Sequence, residues 1–219
     1  MATESADIDL ITIITSSAFV AALVNVAWNA LSKWLDRQRE AKKEELKVAH
    51  VYHAVILHLE TYAYKANGQL YDISVAMDRY RGLRDDKAFD RVRTERFKFE
   101  PDPDWTVLPI SFVDRMKTFV IQSDQCDGWI RAQFDLWAGI DEAFELEEQR
   151  IAWYALRACT LASELRLQIE VDCASMEDII KHFQFIIDRC WDHYKANNGT
   201  TNLVPELRAH FASTSALRG

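Results

Sequence analysis

Three groups of side chains have types and spacings that could do chemistry. His50, His53, His58 and Glu60 crowd one short stretch of the 219-residue chain. His53 and Glu60 stand seven apart and share a helix face, so an imidazole and a carboxylate could begin a metal site there. His58 points elsewhere, and no single ion takes the whole set. Further on, Asp178 with His182 and Asp188 with Asp192 stand four apart, next to His193. That arrangement could hold a divalent ion or an arginine, although a solvated acidic face is the simpler account. The cysteines, Cys126, Cys159, Cys173 and Cys190, include no C-x-x-C pair, which excludes zinc-ribbon and thioredoxin readings.

Helical bundles that bind two metals use Glu-x-x-His, and the chain has no such pair. Walker A, dinucleotide, G-x-S-x-G and kinase signatures are missing as well. No catalytic residue, cofactor or enzymatic activity is therefore assigned, and no metal site. The only candidate ligands are His53, Glu60, Asp188, Asp192 and His193; packing or surface roles are expected for them.

The elements that position these groups follow from composition and pattern. Hydrophobic residues make up 49% of the chain and charged residues 27%, enough to fill a core. Six glycines and four prolines are too few for a sandwich of many short strands. A net charge of -8 argues against a nucleic-acid partner, since such affinity comes from cationic groups at phosphates.

Leu10 to Leu31 is a run of 22 residues without a charge. As a helix it would be about 33 Å long, against a hydrocarbon core of about 30 Å. Acidic residues precede it, whereas Lys33, Arg37, Arg39, Lys42, Lys43 and Lys47 follow. The positive-inside rule then places the N-terminus outside and the bulk in the cytoplasm. Trp28 and Trp34, with Lys33 and Arg37, are the expected interface residues. Asn25 and Asn29, one turn apart, are candidates for packing against another span, or else lie near the headgroups. The alternative is a helix buried in a soluble oligomer.

The rest reads as helices. Residues 32–47 form a charged stalk with pairs three apart, such as Asp36 with Arg39. Val48, Val51, Tyr52, Val55, Ile56, Leu59, Tyr62 and Ala63 make an amphipathic stripe. Gly68 and Gly82 frame the next helical segment, and residues 83–109, charged and proline-containing, form the main loop, docked by Trp105 and Leu108. Within that loop RVRTERFKF alternates like a short strand, although one strand makes no sheet. A helix follows with Phe112, Met116, Phe119, Val120, Ile130, Phe134 and Trp137 inward, and Gly128 and Gly139 as bend and end. Another spans about Glu145 to Ile169, with Ile151, Tyr154, Ala155, Ala158, Leu161, Ala162 and Leu165 inward. Ser175 with Asp178 would cap a helix ended by Asn198 and Gly199, whose stripe is Ile179, Phe183, Ile186, Ile187, Cys190 and Tyr194. Pro205 opens a short last helix.

The predicted fold is all-α: an external tail at 1–9, a transmembrane helix at 10–31, the stalk at 32–47, a cytoplasmic bundle of four or five helices at 48–213, and a flexible tail at 214–219. From residue 48 onward, 20 basic residues stand against 27 acidic ones. In a cytoplasmic domain the thiols would be reduced.

The span, the stalk, HLETYAYKA, the proline-flanked DWTVLP and RIAWYALRACTLASELR together resemble uncharacterised single-pass bacterial membrane proteins, chiefly proteobacterial. Glu60, Tyr62, Trp105, Pro109, Leu165 and Arg166 carry the likeness. It implies a topology and an inner-membrane location, with no activity, cofactor or partner attached. The leading expectation is a membrane-anchored interaction or scaffold module that contacts the bilayer and binds itself or another protein. The alternative is an enzyme or small-ligand sensor with a pocket between the bundle and the loop at 83–109. A third is a membrane-active effector that multimerises through its span.

Overall fold

The computed structural model describes residues 4–94, 96–136, 139–172 and 175–218, with side chains from 24 to 216. The chain is all-α. Among the described residues five α-helices run in order: α1 Glu4–Leu83, α2 Ile110–Leu136, α3 Ile140–Gln168, α4 Glu177–Ala196 and α5 Pro205–Arg218, with 3-10 turns at Asp86–Arg91 and Trp105–Val107. They divide into two units, residues 1–48 and 49–219.

In the first unit the backbone of α1 is helical from Glu4. From Val24 to Lys47 only Ser32 is less than exposed, and Asp36 and Arg39 form the expected pair at 3.9 Å. The transmembrane helix expected at 10–31 is not supported here. Side chains 10–23 lie outside the described residues, and among the described residues no helix is long and apolar enough to cross a membrane. The described remainder of the run, 24–31, spans only about 12 Å and carries Asn25 and Asn29.

In the second unit α1 passes straight through Gly68 instead of breaking there, and ends just beyond Gly82. Ala66, Leu70, Ile73, Ala76 and Met77 bury one face of this stretch, and that burial outweighs the roughly 1 kcal/mol helix cost of a glycine. Helix α2 likewise runs through Gly128, while Gly139 caps the start of α3 rather than ending α2: its N–H donates to the Glu142 carboxylate at 3.0 Å. Helix α3 consequently begins earlier than the apolar stripe suggests. Ser175 does not cap α4, whose N-cap is Met176 and makes no side-chain bond. The end of α4 is as expected: Asn198 and Gly199 take positive φ, 50° and 81°, and turn the chain toward Pro205 at the head of α5.

Helix α3 packs against both α2 and α4. Its stripe from Ile151 to Leu165 is buried, as are Phe112, Met116, Phe119 and Ile130 of α2, and Phe183, Ile186, Ile187 and Cys190 of α4. Phe134, expected inward, is half exposed, and Trp137 lies outside the described residues. The connection after α1 contains no strand among its described residues. It is seated by aromatics: Phe89 stacks on Phe144 at 4.4 Å, and Phe97 meets Tyr62 and Phe119 edge-on at 5.0 and 5.2 Å. Leu108 is buried, and Trp105 is half-buried against Phe99, with its Nε1 donating to Asp102 at 2.7 Å.

Candidate functional site

The chemistry of the second unit is concentrated in three charge pairs inside the bundle. Glu60 of α1 receives Arg166 of α3 through two nitrogens, Nε to Oε1 at 2.6 Å and Nη2 to Oε2 at 2.9 Å, while Arg166 Nη1 donates to the Asp172 carbonyl at 2.7 Å. On α3 itself Arg150, almost completely buried, is held by Glu147 one turn earlier; its Nε lies 2.8 Å from Oε2, and Nη2 bonds Oε1. The third centre is Asp127 of α2, buried beneath Arg96 of the loop at 2.7 Å and Arg131 at 3.3 Å.

These pairs follow from helical spacing. Residues 150, 154 and 158 recur every fourth position on α3, so Arg150 lies on the inward stripe with Tyr154 and Ala158, whereas Arg166, about 160° further round the helix, is buried with Ala162 and Leu165 on the side that meets Glu60 of α1. A guanidinium buried there demands a carboxylate, because an uncompensated interior charge costs several kcal/mol. Tyr154 donates to Glu206 of α5 at 2.9 Å, and Gln149 ties the α5 entry by bonding Asn202 O at 3.2 Å and Val204 N at 3.1 Å.

The ionisable groups of this interior are quiet ones. Burial pushes the Tyr62 hydroxyl up to about 12, with the positive charge of Arg150 only partly opposing it. Burial also raises the Cys159 and Cys190 thiols to about 12 and about 11, and Cys126 higher still, aided by Glu206. Desolvation works to lower Arg150, but the hydrogen bonds and charge of Glu147 overcome it and leave the guanidinium raised. A nucleophilic cysteine needs a depressed pKa, so these three thiols are core groups. Arg150 Nη1 and the Tyr62 hydroxyl are among the buried polar atoms that stay incomplete, the hydroxyl with Ser123 beside it but without a well-formed bond.

Two cavities open on this unit, and the first borders these charges. One, of about 360 Å³, lies between α2, α3 and the loop residue Thr94; Ile130, Phe134 and Phe144 make apolar walls, and Asp127 and Glu147 stand at its edge. The other, of about 450 Å³, is a polar cleft of α1, α3 and α4 lined by Asp78, Arg81, Glu145, Glu148, Arg189 and His193. Its charges are largely matched, Arg81 with Glu145 at 3.2 Å and Arg189 with Glu148 at 2.5 Å.

The residues singled out from the sequence do not converge. Glu60 is committed to Arg166, His53 is half-buried, and His58 lies edge-on to Phe99. His182 pairs with Asn67 at 2.8 Å rather than with Asp178. Asp188, Asp192 and His193 are exposed on α4, with Asp192 bonded to Lys195 at 2.9 Å. Among the described residues no group of three or more His, Cys, Asp or Glu could hold a metal ion. Trp28, Lys33, Trp34 and Arg37, and also Asn25 and Asn29, are all exposed on α1. Sequence reasoning missed the Glu147, Arg150 and Asp127 centres, and the available signal was a charge on an otherwise apolar stripe. No protein-family model matches the chain, and neither the curated proteins nor the solved structures contain a match to it.

Proposed function

We propose that the chain is a helical interaction module held at a membrane by its N-terminal run, with the bundle on the cytoplasmic side of a bacterial inner membrane. The supporting observation is the apolar character of the described surface of α1 within the first unit: Val24, Val26, Trp28, Leu31, Trp34 and Leu35 are each at least 40% exposed. Together with the uncharged residues before them and the basic ones after, they form a sequence that the bilayer and its interface would accept. The bundle supports a binding role more than a catalytic one, since its buried charges are paired with one another and its buried thiols are raised in pKa. Membrane fractionation tests the anchor. Full-length protein should stay in the pellet through carbonate and high-salt extraction, and a chain beginning at Lys33 should be released. Recovery of full-length protein in the wash would remove the anchor.

A second reading is supported by the cavity under the loop. At about 360 Å³, with aromatic walls and carboxylates at one edge, it has the size and lining of a small-ligand pocket. Ligand-induced stabilisation in a thermal-shift screen of small amphiphiles, lost in Phe144→Ala, would favour that reading.

A further inference from the structure

The cavity of about 360 Å³ beneath the loop has a lining that selects among small amphiphiles. Its apolar walls are Ile130 and Phe134 of α2 and Ile140 and Phe144 of α3. Phe144 is held by its stack on Phe89 at 4.4 Å, whereas Phe134 keeps half of its surface exposed, so an apolar body lodged between them would bury area that the fold leaves open. At the polar edge stand Asp127 and Glu147, both nearly fully buried. Buried acids ordinarily call for a cation, but here that charge is already met. Both oxygens of Glu147 are held by Arg150, and Asp127 takes Arg96 and Arg131 on Oδ2 at 2.7 and 3.3 Å. Asp135, another lining acid one turn beyond Arg131, offsets the second of these arginines. Asp127, Asp135 and Glu147 are thus matched by Arg96, Arg131 and Arg150, which leaves no net charge to reward an ion. What the edge still offers is acceptor capacity. An ionised carboxylate has about four acceptor positions and no donor, and both arginine contacts of Asp127 fall on one oxygen.

We propose that this cavity binds an uncharged molecule with a compact apolar body and one hydroxyl group, which donates its hydrogen bond to Asp127. A ligand carboxylate would lie beside three acids and find Arg131 as the one cation among the lining residues. A ligand ammonium would have to displace an arginine from the carboxylate that holds it. Either ion also loses far more hydration than a hydroxyl does, with no unmatched charge in the lining to offset that loss. An ether of the same shape fills the walls equally well but has no proton to donate, and the carboxylates have none to give it. The assignment rests on the small-ligand reading of this cavity and leaves the membrane anchor aside.

The test titrates the full chain by calorimetry, in lipid nanodiscs if it sediments with membranes and with empty discs as the blank. The probes share one skeleton: hydrocinnamyl alcohol, its methyl ether, hydrocinnamylamine and hydrocinnamate. At about pH 7 the last two are ions. The alcohol should bind at least about tenfold more tightly than each of the others. Ala143→Trp fills the cavity from its wall, and Phe134→Ala removes the half-exposed ring. Each should weaken binding of the alcohol at least about tenfold while unfolding near the parent temperature without ligand, and if one variant fails to fold the other decides. An ether or an ion that binds as tightly as the alcohol overturns the proposal, and so does binding that the folded variants leave unchanged. If none of the four probes binds but the wider screen of amphiphiles yields a ligand lost in Phe144→Ala, the proposal fails and the small-ligand reading stands. If that screen is empty as well, both fail.

Discussion

Arg166 grips Glu60 with two parallel hydrogen bonds, at 2.6 and 2.9 Å, across 106 residues of sequence. Both side chains are about nine-tenths buried, so the pair joins α1 to α3 inside the bundle, at a depth where neither charge tolerates solitude. Planar, bidentate geometry of this kind suits arginine and not lysine.

Removing one partner should therefore be much worse than removing both. Glu60→Ala strands a buried guanidinium and should cost about 3 to 5 kcal/mol, a large share of the roughly 5 to 15 kcal/mol that holds a domain together. Glu60→Leu with Arg166→Met replaces the pair by apolar groups and should recover most of that loss. Urea denaturation of the three proteins decides it; equal losses in the single and the double variant would show that packing, and not charge compensation, is what Glu60 supplies.

Asp127 and Arg96 make a different kind of link. The carboxylate is buried and the arginine half exposed, so the pair fastens the loop without anchoring the whole core. Asp127→Ala frees Arg96 and Arg131 into solvent, where they cost little, and loosens residues 92–99. The expected result is faster trypsin cleavage after Arg91 and Arg93, with a smaller drop in urea midpoint than Glu60→Ala. Unchanged proteolysis would mean that Phe97 and Phe89 seat the loop by themselves.

The elevated acids of the interior give stability a definite pH dependence. Cys190, Cys159 and Tyr62 hold their protons to about 11, 12 and 12 when folded, against 9 for a free thiol and 10 for a free tyrosine. Their contribution is complete below about pH 9 and is lost as pH rises toward 11 and 12, because the unfolded chain releases these protons first. Denaturation midpoints should be flat from about pH 7 to about pH 8.5 and fall above about pH 9. In the same range, alkylation followed by mass spectrometry should find Cys159 and Cys190 unreactive until the protein is unfolded. Rapid labelling of Cys190 at about pH 8 would contradict its burial.

The all-α class was legible because apolar positions recur at three and four with few interruptions, and most of the inward stripes are the buried ones. What the sequence obscured has local causes. Gly68 and Gly128 look like punctuation, but a glycine breaks a helix only when flanking packing does not hold it, and both flanks here are buried. Gly139 marks a beginning because Glu142 can reach back to its N–H. The candidate chemistry misled for a related reason. Glu60 was grouped with the nearby His53 by spacing along one helix, whereas its actual partner is far along the chain. Arg150 was passed over because a charged residue reads as surface, although its place beside Ile151 and Tyr154 on the stripe requires it to be inside and Glu147 to follow it there.

The orientation proposed for an anchored chain depends on an imbalance that can be removed. Six Lys or Arg lie within residues 33–47 and none lies before Leu10, and cations near a span are retained on the cytoplasmic side. A C-terminal reporter that works only in the cytoplasm should accordingly be active, and one that requires export silent. Changing Lys33, Arg37, Arg39 and Lys42 to glutamine should leave the uncharged run intact while weakening the rule that orients it, so part of the population should export its C-terminus. If the parent chain itself activates the export reporter, the bundle lies on the opposite side and the expectation of reduced thiols falls with it. If the glutamine variant keeps full cytoplasmic activity and still pellets through carbonate, something other than the basic flank sets the orientation, and the folded bundle, which resists translocation, becomes the determinant to test next.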